Sequence, residues 1–243
     1  MTSAVSPDDR VLLSEMGRRY QLWSAGESPI LVSRGVENTT FAVGDYIVRR
    51  SDDLDAVSRE VDVLIALTHA TSVPTPAPVL HEPELGMFAY QRLRGTPLLH
   101  RSQRDLGNIQ PALIDALSAF RRILPASRLP VDHYPNEEWH NDAVQACRFV
   151  RNHLSNEQER LIHAFLDEPV PHTRSVALPQ HNDLGAEHIL VDDQGEVTGI
   201  IDWTDAALTD PARDIGSIYR DFGPDAAVCV GEALNGPLTE DED

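Results

Sequence analysis

The sequence predicts an α+β protein in two lobes, a small antiparallel-sheet lobe followed by a mostly helical one. Three observations carry this prediction. Short β-rich runs punctuated by glycine turns fill much of the first hundred residues, and helix-period apolar spacing dominates the rest of the chain. One further pair of β-like runs, around Asp193-Gln194-Gly195-Glu196, interrupts the helical part. The division falls at residues 1–93 and 94–243.

Ser6-Pro7-Asp8-Asp9 ahead of Val11, Leu12, Met16 and Tyr20 reads as an N-capped first helix with proline in its opening turn. Residues 30–32, 39–43 and 46–50 are β-rich and broken by Gly35 and Gly44-Asp45, as antiparallel hairpins require. Residues 53–68 return to helical spacing, with Leu54, Val57, Val61, Leu64, Ile65 and Leu67 as the apolar stripe; Pro74, Pro76 and Pro78 come after it. Residues 79–80 and 87–93 read as two more strands, and Arg94-Gly95-Thr96-Pro97 breaks the last. Helices are then expected over 111–124, 139–154 and 156–166. The paired β-like runs cover 188–192 and 197–201, closing helices cover 211–220 and 226–234, and the acidic residues 240–243 are expected to be a solvated tail.

Composition narrows the function. Over 243 residues, 20 Lys and Arg against 39 Asp and Glu give a net charge of −19, which argues against a nucleic-acid footprint and favours cationic partners. Apolar residues at 41% and charged residues at 24% are ordinary globular usage, so the acidity does not imply a disordered chain. Cys147 and Cys229 stand far apart in no metal-type spacing, which points to neither a disulfide framework nor a zinc site and to a reducing cytoplasm. No stretch approaches the roughly 18 apolar residues of a membrane span, and the N-terminus shows no export signal.

The most informative stretch is His181-Asn182-Asp183-Leu184-Gly185-Ala186-Glu187-His188-Ile189-Leu190, followed by Gly199-Ile200-Ile201-Asp202-Trp203. A carboxylate in a glycine-containing loop, a ligand-type side chain five residues on, and a second carboxylate ending the partner strand can converge on one point. Such convergence builds a Mg²⁺–nucleotide site. Asp183 would accept or orient the proton of an attacking hydroxyl, and His188 and Asp202 would hold metal against phosphates. Taken singly, an Asp at a turn is usually an Asx cap and a lone His a satisfied polar residue; the order and spacing together carry the argument.

The His-x-Asp-x-x-x-x-His loop and the run Ile-Ile-Asp-Trp-Thr-Asp-Ala-Ala-Leu-Thr-Asp-Pro-Ala-Arg-Asp resemble the aminoglycoside phosphotransferase family of kinase-like enzymes, over roughly residues 30–219. The resemblance implies a bilobal protein-kinase-like fold and Mg²⁺-dependent transfer of the γ-phosphoryl group of ATP or GTP to a hydroxyl of a small molecule. The acidic balance favours a cationic acceptor such as an aminoglycoside, ahead of a macrolide or a cellular alcohol. Most of the family has Asn where this chain has His188. His there resembles the 2''-aminoglycoside and macrolide branches, where it is implied to replace Asn as a metal ligand. Mg²⁺ prefers oxygen, so Asp202 is the stronger ligand of the two. Family members usually continue for several helices beyond this run, whereas 24 residues follow Tyr219 here. An acceptor pocket that is shallow, differently built or completed by another chain is the expectation.

The resemblance also gives the first lobe its roles. Gly35-Val36-Glu37-Asn38-Thr39-Thr40 matches the nucleotide-covering hairpin, with Asn38 as a candidate contact. Arg49 matches the cation for the α and β phosphates and Glu60 the helix residue that pairs with it; strand alternation lets only one of Arg49 and Arg50 enter the cleft. Tyr90-Gln91-Arg92-Leu93-Arg94-Gly95 fits the hinge, where the Gln91 carbonyl and Leu93 amide meet the base edge. Tyr90 is either a selectivity element that favours GTP or a core aromatic. Asp214 and His181 are expected to support the catalytic loop, Asp210 to cap a helix, and Asp205 to meet a substrate ammonium or to be solvated. The acid-rich stretch 136–142 lines a cationic-substrate cleft or simply opens a helix. Two rivals remain: a pseudokinase-like binding protein, and a metal hydrolase using His181, Asp183 and His188, which leaves Arg49, Glu60 and the hinge unexplained.

Overall fold

The computed structural model describes residues 5–24, 26–35, 38–101, 106–123, 128–171 and 176–236. Val36 and Glu37 of the hairpin tip, Leu124 at an expected helix end and the acidic tail 240–243 lie outside the described residues.

The first lobe begins with α1 (Pro7–Tyr20), where Ser6 Oγ accepts from Asp9 N at 3.1 Å and Pro7 occupies the opening turn. Five strands come next: β1 (Ile30–Arg34), β2 (Asn38–Val43), β3 (Tyr46–Ser51), β4 (Pro78–Glu82) and β5 (Met87–Gln91). They form one antiparallel sheet in the order β1-β2-β3-β5-β4. Between β3 and β4 runs α2 (Leu54–Leu67), capped by the Asp53 carboxylate, which accepts from Ala56 N at 2.9 Å.

Both faces of this sheet are covered, so the period-2 alternation sorts side chains between two cores. Phe41, Val43, Val48, Met87 and Ala89 pack with Leu13 and Met16 of α1. Ala42, Ile47, Phe88 and Tyr90 pack with Val57, Val61 and Leu64 of α2. Arg49 therefore shares the α2 face with Ile47, and Arg50 the α1 face with Val48. The α2 stripe differs from the sequence reading at two places: Leu54 and Ile65 are 43% and 57% exposed, while Ala56, Glu60 and Val63 are buried. Six apolar residues over four turns cover more than one face, and the sheet selects the arc that includes Glu60.

Between the lobes the chain turns at Gly95, whose φ is +101°; a Cβ there would meet the Val191 carbonyl oxygen at 2.8 Å, so the turn requires glycine. Residues expected only to break a strand instead form one, β6 (Thr96–Pro97). The second lobe continues with α3 (Leu106–Ile123), α4 (Asn136–Val150), α5 (Asn156–Leu166), β7 (Leu178–Gln180), β8 (Ile189–Val191), β9 (Val197–Ile200), β10 (Ala207–Thr209), α6 (Ala212–Phe222) and α7 (Pro224–Asn235). β6, β8 and β9 make a three-stranded sheet, and β7 pairs with β10. α3 starts five residues before Pro111, which lies inside the helix. Burial of Ile109, Leu113, Ala116, Leu117 and Phe120 outweighs the hydrogen bond that Pro111 cannot make.

One apolar core joins α2, α3, the short sheet and Trp203, which is fully buried with its ring edge-on to Phe120 at 5.1 Å. The architecture is bilobal α+β and protein-kinase-like, an antiparallel-sheet lobe beside a mostly helical one. Among the described residues, no helix is long and apolar enough to cross a membrane.

Candidate functional site

Arg49 reaches inward from β3 and gathers groups from both lobes. Its Nη1 donates to Glu60 Oε1 and to Asp202 Oδ1, each at 2.8 Å, and its Nη2 donates to Thr204 Oγ1 at 2.8 Å. Thr204 Oγ1 in turn donates to Glu60 Oε2 at 2.8 Å. Burial pushes Glu60 up to about 7, against the opposing pull of Arg49. Arg50 points the other way and pairs with Asp9 of α1 at 2.7 Å.

The loop between β7 and β8 is held from α6. Asp214 accepts from His181 N at 2.8 Å and Asn182 N at 2.9 Å, and Asp221, two turns further along the same helix face, accepts from Ala186 N at 2.8 Å. Asn182 takes a left-handed conformation, φ 69°, a region that asparagine tolerates well, and its side chain donates to Asp132 at 3.1 Å. Asp183 is left presented to solvent, its side chain 53% exposed. Desolvation raises its carboxyl above the ordinary value, with His188 opposing and Asp202 adding. Asp202 goes the other way: desolvation alone would raise it, but Arg49 and then His188 hold it below the usual carboxylate range. Two neighbouring carboxylates pushed apart in this way suit different tasks, the raised one as a base and the lowered one as an anionic ligand.

His181 is fully buried against Trp203, ring centroids 4.5 Å apart, and its Nε2 donates to the Ile201 carbonyl at 3.1 Å. Burial, then His188, pushes it down to about 4 from an ordinary 6.5. Burial lifts Asp214 from 3.8 to about 6, against its two amide donors. The two groups give stability opposite slopes with pH. Neutral His181 contributes stability that is present above pH 6.5 and lost as pH falls toward 4. Asp214 contributes stability that is present below about pH 4 and lost as pH rises through 6. The contributions oppose each other between pH 4 and 6 in the parent. Asp214→Asn is therefore expected to lose roughly 3 kcal/mol more than the parent on going from pH 7 to pH 4, read by urea unfolding at both. Parallel pH profiles in the two proteins would contradict it.

Between the lobes lies a cleft of about 440 Å³, lined on one side by Ile47, Arg49, Tyr90 and Leu93 and on the other by Glu187, His188, Leu190, Ile201 and Asp202. Tyr90 stands at its wall, stacked on Phe88 with centroids 5.9 Å apart and with 6% exposure. Asn38 and Gln91 are not among the lining residues. Ser33 and Thr40 line the cleft from the hairpin strands, the Asn38 carbonyl accepts from Gly35 N at 2.8 Å, and Gln91 ends β5 opposite Tyr46. Asp210 Oδ1 accepts from Ala212 N at 2.9 Å at the start of α6, and Asp205 is exposed. In the acid-rich stretch, Glu137 and Glu138 form the exposed first turn of α4 and Asp142 accepts from Tyr134 OH at 2.6 Å. Sequence reading missed Thr204, Asp221 and Asp132, because their partners lie far along the chain and no local spacing announces them.

His188 Nδ1 lies 2.8 Å from the Asp183 carbonyl, which can only accept, so Nδ1 carries a proton and Nε2 is the ring nitrogen turned away from the loop. Nε2 lies 3.6 Å from Asp202 Oδ2, the oxygen Arg49 does not take. Among the described residues, no cluster of three or more His, Cys, Asp or Glu is placed to hold a metal unaided. The Asp202 carboxylate beside an open cleft fits Mg²⁺, which commonly takes one or two carboxylates and completes its shell with phosphate oxygens and water; the His188 nitrogen is the weaker donor.

Comparison with known proteins places these features. YcbJ of Bacillus subtilis (strain 168), an uncharacterized protein, is 28% identical over 193 residues, covering 72% of this chain and 61% of the relative. The chain thus spans less than two thirds of that relative's length. Among solved structures, the GDP and kanamycin complex of APH(2")-IIIa superposes with a TM-score of 0.66 at 19% identity, covering 94% of this chain and 84% of the other. The streptomycin–ATP–APH(2")-IIa ternary complex gives 0.62 at 16% identity, covering 95% and 83%. The sequence matches the phosphotransferase enzyme family (APH) over residues 30–239, and with most of the chain inside that match, the protein belongs to this family.

Proposed function

We propose that the protein transfers the γ-phosphoryl group of a nucleoside triphosphate to a hydroxyl of a small molecule. The observation that carries this reading is the meeting of Arg49 and Glu60 from one lobe with Asp202 and His188 from the other, with Asp183 free beside them. Asp183 takes the proton of the acceptor hydroxyl, its raised affinity for protons suiting it to that step. Arg49 binds the non-transferred phosphates, and Glu60 keeps the guanidinium in place. Asp202 and His188 would hold Mg²⁺, which when bound neutralises charge on the phosphates. The hinge around Leu93 binds the base edge, and Asp214 and His181 keep the loop around Asp183 in register.

The acceptor we assign first is a cationic antibiotic of the aminoglycoside type. The net charge of −19 favours a cation, and kanamycin and streptomycin are named with two structures of similar fold. A macrolide is second and an alcohol of metabolism or biosynthesis third. Use of ATP or GTP favours a cytoplasmic setting for the reaction. Incubation with MgATP or MgGTP and a panel of hydroxylated compounds, read by the mass gain of one phosphoryl group, tests the reading. Nucleotide binding without phosphorylation of any acceptor or of water would favour a pseudokinase-like binder.

Tyr90 sets an expectation for the donor. A bulky ring at the cleft wall hinders adenine from sliding deep enough to meet the hinge, while a shifted guanine, with its donor and acceptor pattern reversed at position 6, still finds backbone partners. GTP is expected to serve at least as well as ATP, and Tyr90→Ala to improve kcat/KM for ATP relative to GTP by about tenfold to a hundredfold, the range of discrimination by shape. Strong ATP preference that is unchanged in the variant would make Tyr90 a packed core aromatic only.

A further inference from the structure

Thr204 sits where the two lobes meet, and its hydroxyl has one proton and two lone pairs to place. Arg49 Nη2 donates to it at 2.8 Å, and its own proton faces Glu60 Oε2 at 2.8 Å, with Asp202 Oδ1 at 3.2 Å. The contact of Arg49 Nη1 with Glu60 Oε1 at 2.8 Å closes a ring of three side chains. A guanidinium held at Nη1 alone can swing about that contact; a second bond at Nη2 fixes its plane. Three of the five N–H groups of Arg49 are engaged in these contacts and in the one to Asp202, leaving one on Nη2 and the one on Nε. Nε is buried with no hydrogen-bond partner among the described residues, and Arg49 lines the cleft.

We propose that Thr204 is a positioning residue for nucleotide phosphates, fixing the Arg49 guanidinium so that its two remaining N–H groups are presented to the phosphate oxygens. The inference rests on Arg49 being the phosphate clamp. Valine keeps the shape of threonine and loses the hydroxyl; serine keeps the hydroxyl. The action is on phosphates and not on the base, so a nucleoside serves as the internal control.

Calorimetric titration with GDP and Mg²⁺, and separately with guanosine, compares the parent, Thr204→Val and Thr204→Ser. The valine variant is expected to bind GDP about tenfold more weakly, to bind guanosine within about twofold of the parent, and serine to restore GDP binding. GDP affinity unchanged in Thr204→Val, an equal loss for GDP and guanosine, or failure of serine to rescue would each overturn the proposal. If the valine variant does not fold, Thr204→Ala takes its place under the same expectations. Arg49→Ala separates the two levels of the argument. A parent that binds neither GDP nor ADP removes the clamp reading and this inference with it. A parent whose GDP binding is lost in Arg49→Ala but kept in Thr204→Val removes only the inference.

Discussion

Asp183→Asn is expected to lower phosphoryl transfer about a thousandfold while nucleotide affinity stays within about threefold of the parent. The reason is the separation of the two carboxylates. The only ion-pair contact of Asp183 among the described residues is the one with His188 Nδ1 at 3.7 Å, so its loss removes a proton acceptor and little else. Asp202 is bonded to Arg49 and faces His188 Nε2, so Asp202→Asn should instead weaken binding of nucleotide with Mg²⁺ by about tenfold or more. Calorimetry on both variants, beside turnover measured with any acceptor the compound panel identifies, distinguishes the roles. Equal loss of nucleotide binding in the two would sink the division, and full activity in Asp183→Asn would remove Asp183 from the chemistry.

Much of this site is legible because its chemistry is local in sequence. Asp183 and His188 are five residues apart, and the turn that joins β8 to β9 brings Asp202 beside them, so one loop and one hairpin encode three of the groups. The elements are legible for a similar reason: Ser6 and Asp53 cap helices through bonds that span three residues, and alternation along β3 sends Arg49 and Arg50 to opposite faces. The features that escape are non-local. Arg49 and Thr204 are 155 residues apart, and nothing in either neighbourhood specifies the other. Asp221 is one of two acids on α6, and only the fold sets it under Ala186. Strands of two or three residues, β6, β7 and β10, are too short for a period of two to register, and tertiary pairing alone defines them. The exposed positions of Leu54 and Ile65 have the same cause, since only the sheet decides which arc of α2 it covers.

Arg49→Ala is expected to destabilise the fold by about 3 to 5 kcal/mol and to abolish measurable nucleotide binding, whereas Arg50→Ala should cost less than about 1 kcal/mol and leave binding intact. The contrast lies in the groups each guanidinium leaves behind. Without Arg49, Glu60 at 3% exposure and Asp202 face each other with no countercharge between them, and the Thr204 hydroxyl loses its donor. Arg50 is 40% exposed, so removing it opens its buried partner Asp9 to water, and Asp9 keeps the Ser6 hydroxyl as a donor in the α1 cap. Arg49→Lys sharpens the test. An ammonium has three N–H groups, all of which Glu60, Asp202 and Thr204 would claim, while arginine has five and keeps two for phosphate. Lysine should therefore restore much of the stability and little of the nucleotide affinity, a split that neither a purely structural ion pair nor a simple cation requirement produces. Chemical denaturation and calorimetry on the three variants read the two quantities separately. Equal effects of Arg49→Ala and Arg50→Ala would remove Arg49 from the phosphate site, and full affinity in Arg49→Lys would show that charge alone suffices there.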